Sequence, residues 1–398
     1  MSSSYPINSN HSPLRSNFTI GILGAGQLAR MTALQAFRFG FRVASYSDRA
    51  LDEPLQWMTP LGRTGSFSEV EAIIEFASHC DVLTLENEFI DSDVLHEVVR
   101  RSGKPLFPTP ESFALIENKR IEKETFSSHG IPVAPFRVVS SEEEFRLFGE
   151  QHGWPFVLKS SKGGYDGYGN KVVRDVEEAI EAFATLGGSK GHEILAEAFV
   201  PFERELAVQV ARNATGTVVY PCCETIQTDQ ICTAVLSPAP VEEQVRKEAE
   251  ELARKAMEAI NGIGLFAFEF FLTKDGRLLL NESAPRPHNS GHYTIEGCVT
   301  SQFENHIRAI TGLPLGSTDL RCTSAVMINL LGTQNRDTVT EHALESMHEK
   351  DVHLHLYGKK TSRIGRKMGH LTVLNHDPSN SIDDVYQRAK QLADRIEI

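Results

Sequence analysis

The sequence contains no CxxC pair, and its six cysteines are scattered over 398 residues. That excludes a zinc-ribbon arrangement and argues against a disulfide-stapled secreted fold. Cys80, Cys222, Cys223, Cys232, Cys298 and Cys322 read as reduced thiols of a cytoplasmic protein. No apolar run reaches the ~18 residues of a membrane span. There is no GxxxxGK[ST], so a P-loop is excluded. Basic residues are in deficit: 40 Lys and Arg against 53 Asp and Glu give a net charge of -13. So acidic a chain is a poor general binder of nucleic acid, although a local anion pocket remains compatible with it. Residues 1–16, MSSSYPINSNHSPLRS, lack an apolar stretch and read as a disordered tail, not a signal peptide.

What is present is ordinary in bulk and specific in detail. A content of 40% hydrophobic and 23% charged residues suits a globular protein, and the length suits two or three domains. The segment FTIGILGAGQLARMTALQAFRFGFRVASYSD reads as strand, helix, strand, with Gly24, Gly26 and Ala29 forming a GxGxxA turn. Asp48 ends the second strand, where a ribose-binding acid would stand in a nicotinamide dehydrogenase. The turn alone does not select that function, because the same geometry serves other anion-binding α/β domains. A later strand, DVLTLENEF, places Glu86 and Glu88 on one face at its C-terminal end if the strand persists that far. Ligands gather at such ends in open α/β sheets.

Pro105, Pro108 and Pro110 mark a boundary, followed by a helical segment that carries Lys119 and stops at Gly130 and Pro132. Strands and helices then alternate to about residue 310. The strand-like PFVLK ends in Lys159 and leads into SSKGGYDGYGN, a flap with four glycines. Backbone amides of such a flap can cradle phosphate oxygens, and its mobility allows closure over them. Further on, Asp275-Gly276 between two apolar runs predicts a two-residue hairpin loop. Lys274 then faces Arg277, and counting back along both strands brings Glu269 opposite Glu282. Like charges directly opposed in a sheet are destabilising, more so among Phe266, Phe268, Phe270 and Leu278 to Leu280. A Mg²⁺ ion carrying nucleotide phosphates would offset them. Lysine, flap and carboxylate pair together imply a nucleoside-triphosphate site, which leaves the dehydrogenase reading without a role for two of the three.

Five segments in order, GILGAGQLARM, GGYDGYG, NESAPRPHNSGH, SQFENHIRAITGLPL and YGKKTSRIGRKMGH, resemble the N5-carboxyaminoimidazole ribonucleotide synthetase family of ATP-grasp enzymes from about residue 18 onward. The resemblance implies an α/β, α+β-grasp fold: a Rossmann-like N-terminal domain (17–117), a central ATP-grasp domain (118–312) and a C-terminal domain (313–398). It implies ATP and Mg²⁺, the substrates bicarbonate and aminoimidazole ribonucleotide, and a homodimer. On matching positions, Lys119, Lys159, Gly164, Gly167 and Gln227 would contact the nucleotide. Glu197, Phe199 and Val200 would form the adenine hinge, Glu205 would take the ribose, and Glu269 and Glu282 would hold the metal. Asp166, Arg286 and Lys359 would serve catalysis. Glu86, Tyr165, His288, Asn289, Lys359 and Arg366 would bind substrate, and His292 belongs to the same loop run as His288.

The chain departs from the family pattern at Tyr168, where a basic residue is usual, at Asn170 (usually Gln), Gln227 (usually His) and Gln230 (usually Gly). These changes leave two alternatives open: a divergent ligase acting on another amine, and a non-catalytic nucleotide-binding relative. Retention of Lys159, Glu269, Glu282, Arg286 and Lys359 together speaks against the second.

Overall fold

The computed structural model describes residues 14–15, 17–49, 53–86, 88–163 and 169–398. Most of the expected tail, and Gly164, Tyr165, Asp166, Gly167 and Tyr168 of the flap, lie outside these residues.

The predicted strand–helix–strand opening forms as Thr19–Leu23, Gln27–Arg38 and Arg42–Ser47. The first strand pairs in parallel with Arg42–Ser47 on one side and Val82–Leu85 on the other, within a five-stranded sheet. All five of its residues are buried, as a parallel sheet covered on both faces requires. The strand carrying Val82 stops at Leu85, so Glu86 and Glu88 do not share a strand face and the chain turns each to a different partner.

A second, four-stranded antiparallel sheet contains Phe136–Val139, Ile194–Ala198, Phe156–Ser160 and Asn170–Val173, in that spatial order. It packs on Phe145, Phe148 and Ala179 of its two helices. The largest sheet has nine strands, with Leu278–Ala284 at one edge and Val352–Leu356 at the other. Ile231–Ser237 pairs with Ser324–Leu331, so main-chain hydrogen bonds carry this sheet across residue 312.

The loop at Asp275-Gly276 corrects the sequence reading. The amide of Thr273 donates to Arg277 O at 2.9 Å and that of Gly276 to Thr273 O at 2.9 Å. Three residues, Lys274 to Gly276, are therefore enclosed, with Gly276 at φ +80°, the other common hairpin geometry. The Thr273 hydroxyl steadies this wider loop, donating to Asp275 Oδ1 and accepting from the Arg277 amide. Leu272, Phe271 and Phe270 consequently pair with Leu278, Leu279 and Leu280, one residue out of the expected register. A bulge at Asn281 absorbs the difference, and Glu269 still faces Glu282.

His306, on the helix Gln302–Ile310, ties the first sheet to the largest. Its Nδ1 accepts from the Leu265 amide at 3.2 Å. Its Nε2 therefore carries the proton and donates to Thr84 Oγ1 at 2.8 Å, which in turn donates to Phe107 O.

Candidate active site

Two cavities meet at one carboxylate pair. The larger, of 630 Å³, lies between the C-terminal ends of the first sheet's strands and the loop after Ala284. Its walls include Glu86, Glu88, Arg286, Lys359 and Arg366. The smaller, of 430 Å³, lies between the four-stranded sheet and the largest one. Its walls include Lys159, Glu197, Phe199, Val200, Glu205 and Gln227. Lys119, Glu269, Glu282 and His288 line both. Apart from His292, the structure thus brings together the described residues predicted from the sequence, divided between two chambers with the Glu pair at the junction.

The helix Lys119–Ser128 supplies the cations at that junction. Asn118 caps it by accepting from the amides of Arg120 and Ile121. Lys119 Nζ lies 3.3 Å from Glu282 Oε2. Burial opposes its charge, but Glu282 and Glu122 outweigh that and lift its pKa to about 12. One turn on, Glu122 accepts from the amide and hydroxyl of Ser283 at 2.8 and 2.6 Å, which anchors the strand beside Glu282. Burial and the charges of Glu282 and Glu205 push Glu269 up to about 8, whereas Lys119 holds Glu282 below the usual carboxylate range. Two opposed oxygen donors, one already balanced by a lysine, fit a hard divalent cation that retains phosphate and water ligands. No group of three or more His, Cys, Asp and Glu suited to a metal occurs among the described residues.

In the smaller cavity, Lys159 Nζ donates to Glu197 Oε1 at 2.9 Å, and both groups are buried. The carboxylate of Glu197 is thus committed to an ion pair, beside the exposed Phe199. Burial raises the pKa of Glu205, while the Gln227 amide donates to it. The unusual Gln227 is thereby given a partner. Gln230 has a left-handed backbone, at φ +65°, a conformation that favours glycine.

In the larger cavity, Glu86 fills the turn that a dinucleotide pyrophosphate would occupy. It accepts from the Gly26 amide at 2.5 Å and the Leu28 amide at 3.2 Å. A Cβ at Gly24 or Gly26 would collide with it, which accounts for both glycines and removes the helix terminus as an anion site. Glu88 accepts from Arg286 side-on along one guanidinium edge, from Nη2 at 2.8 Å on one oxygen and from Nε on the other. His288 stays neutral, its pKa depressed by burial and by Arg286. Its Nδ1 is paired with Ser290 Oγ at 2.8 Å. Asn289 exchanges two amide hydrogen bonds with Asn329 at 2.9 and 2.6 Å, locking the loop to the C-terminal strand. His292, expected beside His288, is fully buried under Phe303, Tyr357 and His370 and lines neither cavity.

Lys359 and Arg366 approach from the C-terminal basic loop. Lys359 Nζ donates to Lys367 O at 2.7 Å, and Arg366 Nη1 to Thr361 O at 2.9 Å. Burial and the nearby Arg366 charge depress Lys359 to about 7.

Sequence reasoning missed Glu122, Lys123 and the Arg286–Glu88 pair. The only signal for the first two is their helical spacing from Lys119.

Three family models match in succession: ribonucleotide synthetase preATP-grasp domain over 18–117, ATP-grasp domain over 124–303, and phosphoribosylaminoimidazole carboxylase C-terminal domain over 325–384. The N5-carboxyaminoimidazole ribonucleotide synthase of Bacillus subtilis is 39% identical over 367 residues, 92% of this chain and 94% of that protein. The phosphoribosylaminoimidazole carboxylase of Ogataea methanolica is 42% identical over 384 residues, 93% of this chain but 68% of that longer protein. Among solved structures, the Aspergillus clavatus N5-carboxyaminoimidazole synthase in complex with ADP and 5-aminoimidazole ribonucleotide superposes with a TM-score of 0.85. It is 36% identical and covers 96% of this chain and 100% of that one.

Proposed function

The chain belongs to the N5-carboxyaminoimidazole ribonucleotide synthase family of ATP-grasp proteins, and from that premise we propose that it carboxylates 5-aminoimidazole ribonucleotide with bicarbonate, consuming ATP in purine biosynthesis. A bicarbonate oxygen attacks the γ-phosphorus, ADP leaves, and carboxyphosphate forms. The exocyclic amine then attacks the carboxyl carbon, phosphate leaves, and the nitrogen gives up a proton. The observation that carries this reading is the junction of the two cavities at Glu269 and Glu282. A phosphoryl group delivered from one chamber there faces an acceptor in the other.

The residues divide accordingly. Lys119 and Lys159 contact the nucleotide phosphates, the Phe199-Val200 backbone holds adenine, and Glu205 takes the ribose. Glu269 and Glu282 hold Mg²⁺, which offsets charge on the phosphates. Arg286, His288 and Asn289 form the bicarbonate side. Lys359 and Arg366 hold the ribonucleotide phosphate, for which forked guanidinium contacts are well suited, and Glu86 lines the wall beside the substrate. On the family's pattern, Gly164 and Gly167 would contact the nucleotide, Tyr165 would contact substrate, and Asp166 would orient the substrate amine or accept its proton. Enclosure matters because water competes for carboxyphosphate. A homodimer in the cytoplasm is the working assembly and place; no helix among the described residues is long and apolar enough to cross a membrane.

The test is ADP release with ATP, Mg²⁺ and bicarbonate, with and without aminoimidazole ribonucleotide, together with trapping of the labelled carbamate. Release that depends on the ribonucleotide, with label in the product, is expected. Equal release with and without it refutes the proposal.

A further inference from the structure

Lys123 is 2% exposed, one of the most enclosed charges in the chain. It stands one helical turn after Lys119, and the two ammoniums diverge. Lys119 goes to Glu282 and Lys123 to Glu197, at 2.7 Å from Oε2 and off the line of an ideal hydrogen bond. The other oxygen of Glu197 takes Lys159. One buried carboxylate is therefore shared by two lysines, and the trio keeps one uncancelled positive charge facing the smaller cavity. Lys123 also lies 3.5 Å from the carbonyl oxygen of Asn281, the bulge residue that restores Glu282 to its place opposite Glu269.

We propose that Lys123 is a positioning residue for the nucleotide: it offsets the second oxygen of the Glu197 carboxylate, so that the trio as a whole presents a surplus positive charge, at Lys159, to a phosphate oxygen. The inference rests on the reading of Lys159 as a nucleotide contact. Without Lys123, Glu197 has Lys159 as its one cation. The two then cancel as a one-to-one pair, and no surplus positive charge faces the phosphate. With Glu197 neutralised, Lys123 has nothing to relay.

The test compares four variants, Lys159→Met, Lys123→Met, Glu197→Gln and the double Lys123→Met/Glu197→Gln, for the KM of ATP, bicarbonate and ribonucleotide, with the melting temperature of each. Lys123→Met should raise the KM for ATP at least tenfold while leaving the other two within about twofold. The double variant should match Glu197→Gln alone within threefold. A purely structural lysine would lower the melting temperature and the amount of active enzyme without moving the KM for ATP, and that result overturns the proposal. So does a double variant that binds ATP more than threefold worse than Glu197→Gln, because Lys123 would then act on the nucleotide without Glu197. If Lys123→Met does not fold, Lys123→Gln, which removes the charge and keeps a polar group, takes its place with the same expected and overturning results. Unchanged ATP affinity in Lys159→Met would refute the nucleotide contact itself; a loss there with none in Lys123→Met refutes only the role of Lys123.

Discussion

Lys359 and Arg366 are bonded to main-chain carbonyl oxygens, not to carboxylates, and face the larger cavity. If they hold the ribonucleotide phosphate, Arg366→Ala removes one charge-assisted contact, worth about 1.5–3 kcal/mol. That is roughly a 10- to 150-fold rise in the KM for the ribonucleotide, with the KM for ATP unchanged. The structure adds a pH signature. Lys359 titrates at about 7 in the free protein because it is buried beside Arg366. A phosphate dianion requires it charged, so above that pH binding must take up a proton and the KM should climb by up to about tenfold per pH unit. Removing Arg366 relieves one of the causes of the depression, so the rise should begin at higher pH in the variant. The sign for stability follows: the native state binds fewer protons than the unfolded chain between about 7 and the ordinary lysine range, so this group's contribution becomes more favourable as pH rises through that window. The assay is initial rate against ribonucleotide at saturating ATP and bicarbonate, from pH 6.5 to 9, with the dephosphorylated nucleoside as control. The nucleoside should react poorly and ignore the Arg366 change. Equal use of nucleoside and ribonucleotide, or identical pH profiles for parent and variant, would refute the assignment of these cations.

Glu269→Gln and Glu282→Gln should each abolish ATP turnover with the fold retained, and Glu269→Gln should leave the metal-free melting temperature equal or higher, since it removes one of two opposed acids; normal turnover at limiting Mg²⁺ would exclude the pair as the metal site. ATP with Mg²⁺ at 100 times its dissociation constant should stabilise the protein by about 2.7 kcal/mol, read as a melting shift. NAD and NADP should give no shift, because Glu86 already occupies the amides of Gly26 and Leu28. Burial lowers His306 to about 4, so its contribution to stability is full above the unfolded value of ~6.5 and is lost as pH falls toward 4. His306→Gln should therefore show a shallower loss of melting temperature between pH 7 and 4.5 than the parent, and parallel curves would contradict the neutral bridge.

The parts legible in the sequence are those determined by neighbours along the chain. The opening strand–helix–strand follows from apolar periodicity and glycine spacing, and the helix at Lys119 from its stop at Gly130 and Pro132. The apposition of Glu269 and Glu282 was readable too, although by a loop one residue shorter than the real one. Loop length depends on the Thr273 hydroxyl, and the compensating bulge at Asn281 sits where Lys123 and Glu122 press on that strand. Thr273 is close by, but nothing within a few residues of Asp275 reports the bulge, whose partners are 158 and 161 residues away along the chain. The same limit hid Arg286–Glu88, whose members are 198 residues apart, and it hid the inward commitment of Glu197. It also made His292 look like a site residue, because a motif records that a side chain is needed and not which way it faces. Local chemistry selects turns and element types over a few residues. The partner of a buried charge is selected by whichever opposite charge the packed fold brings within 3 Å, and for Glu197 and Arg286 only the tertiary structure makes that choice.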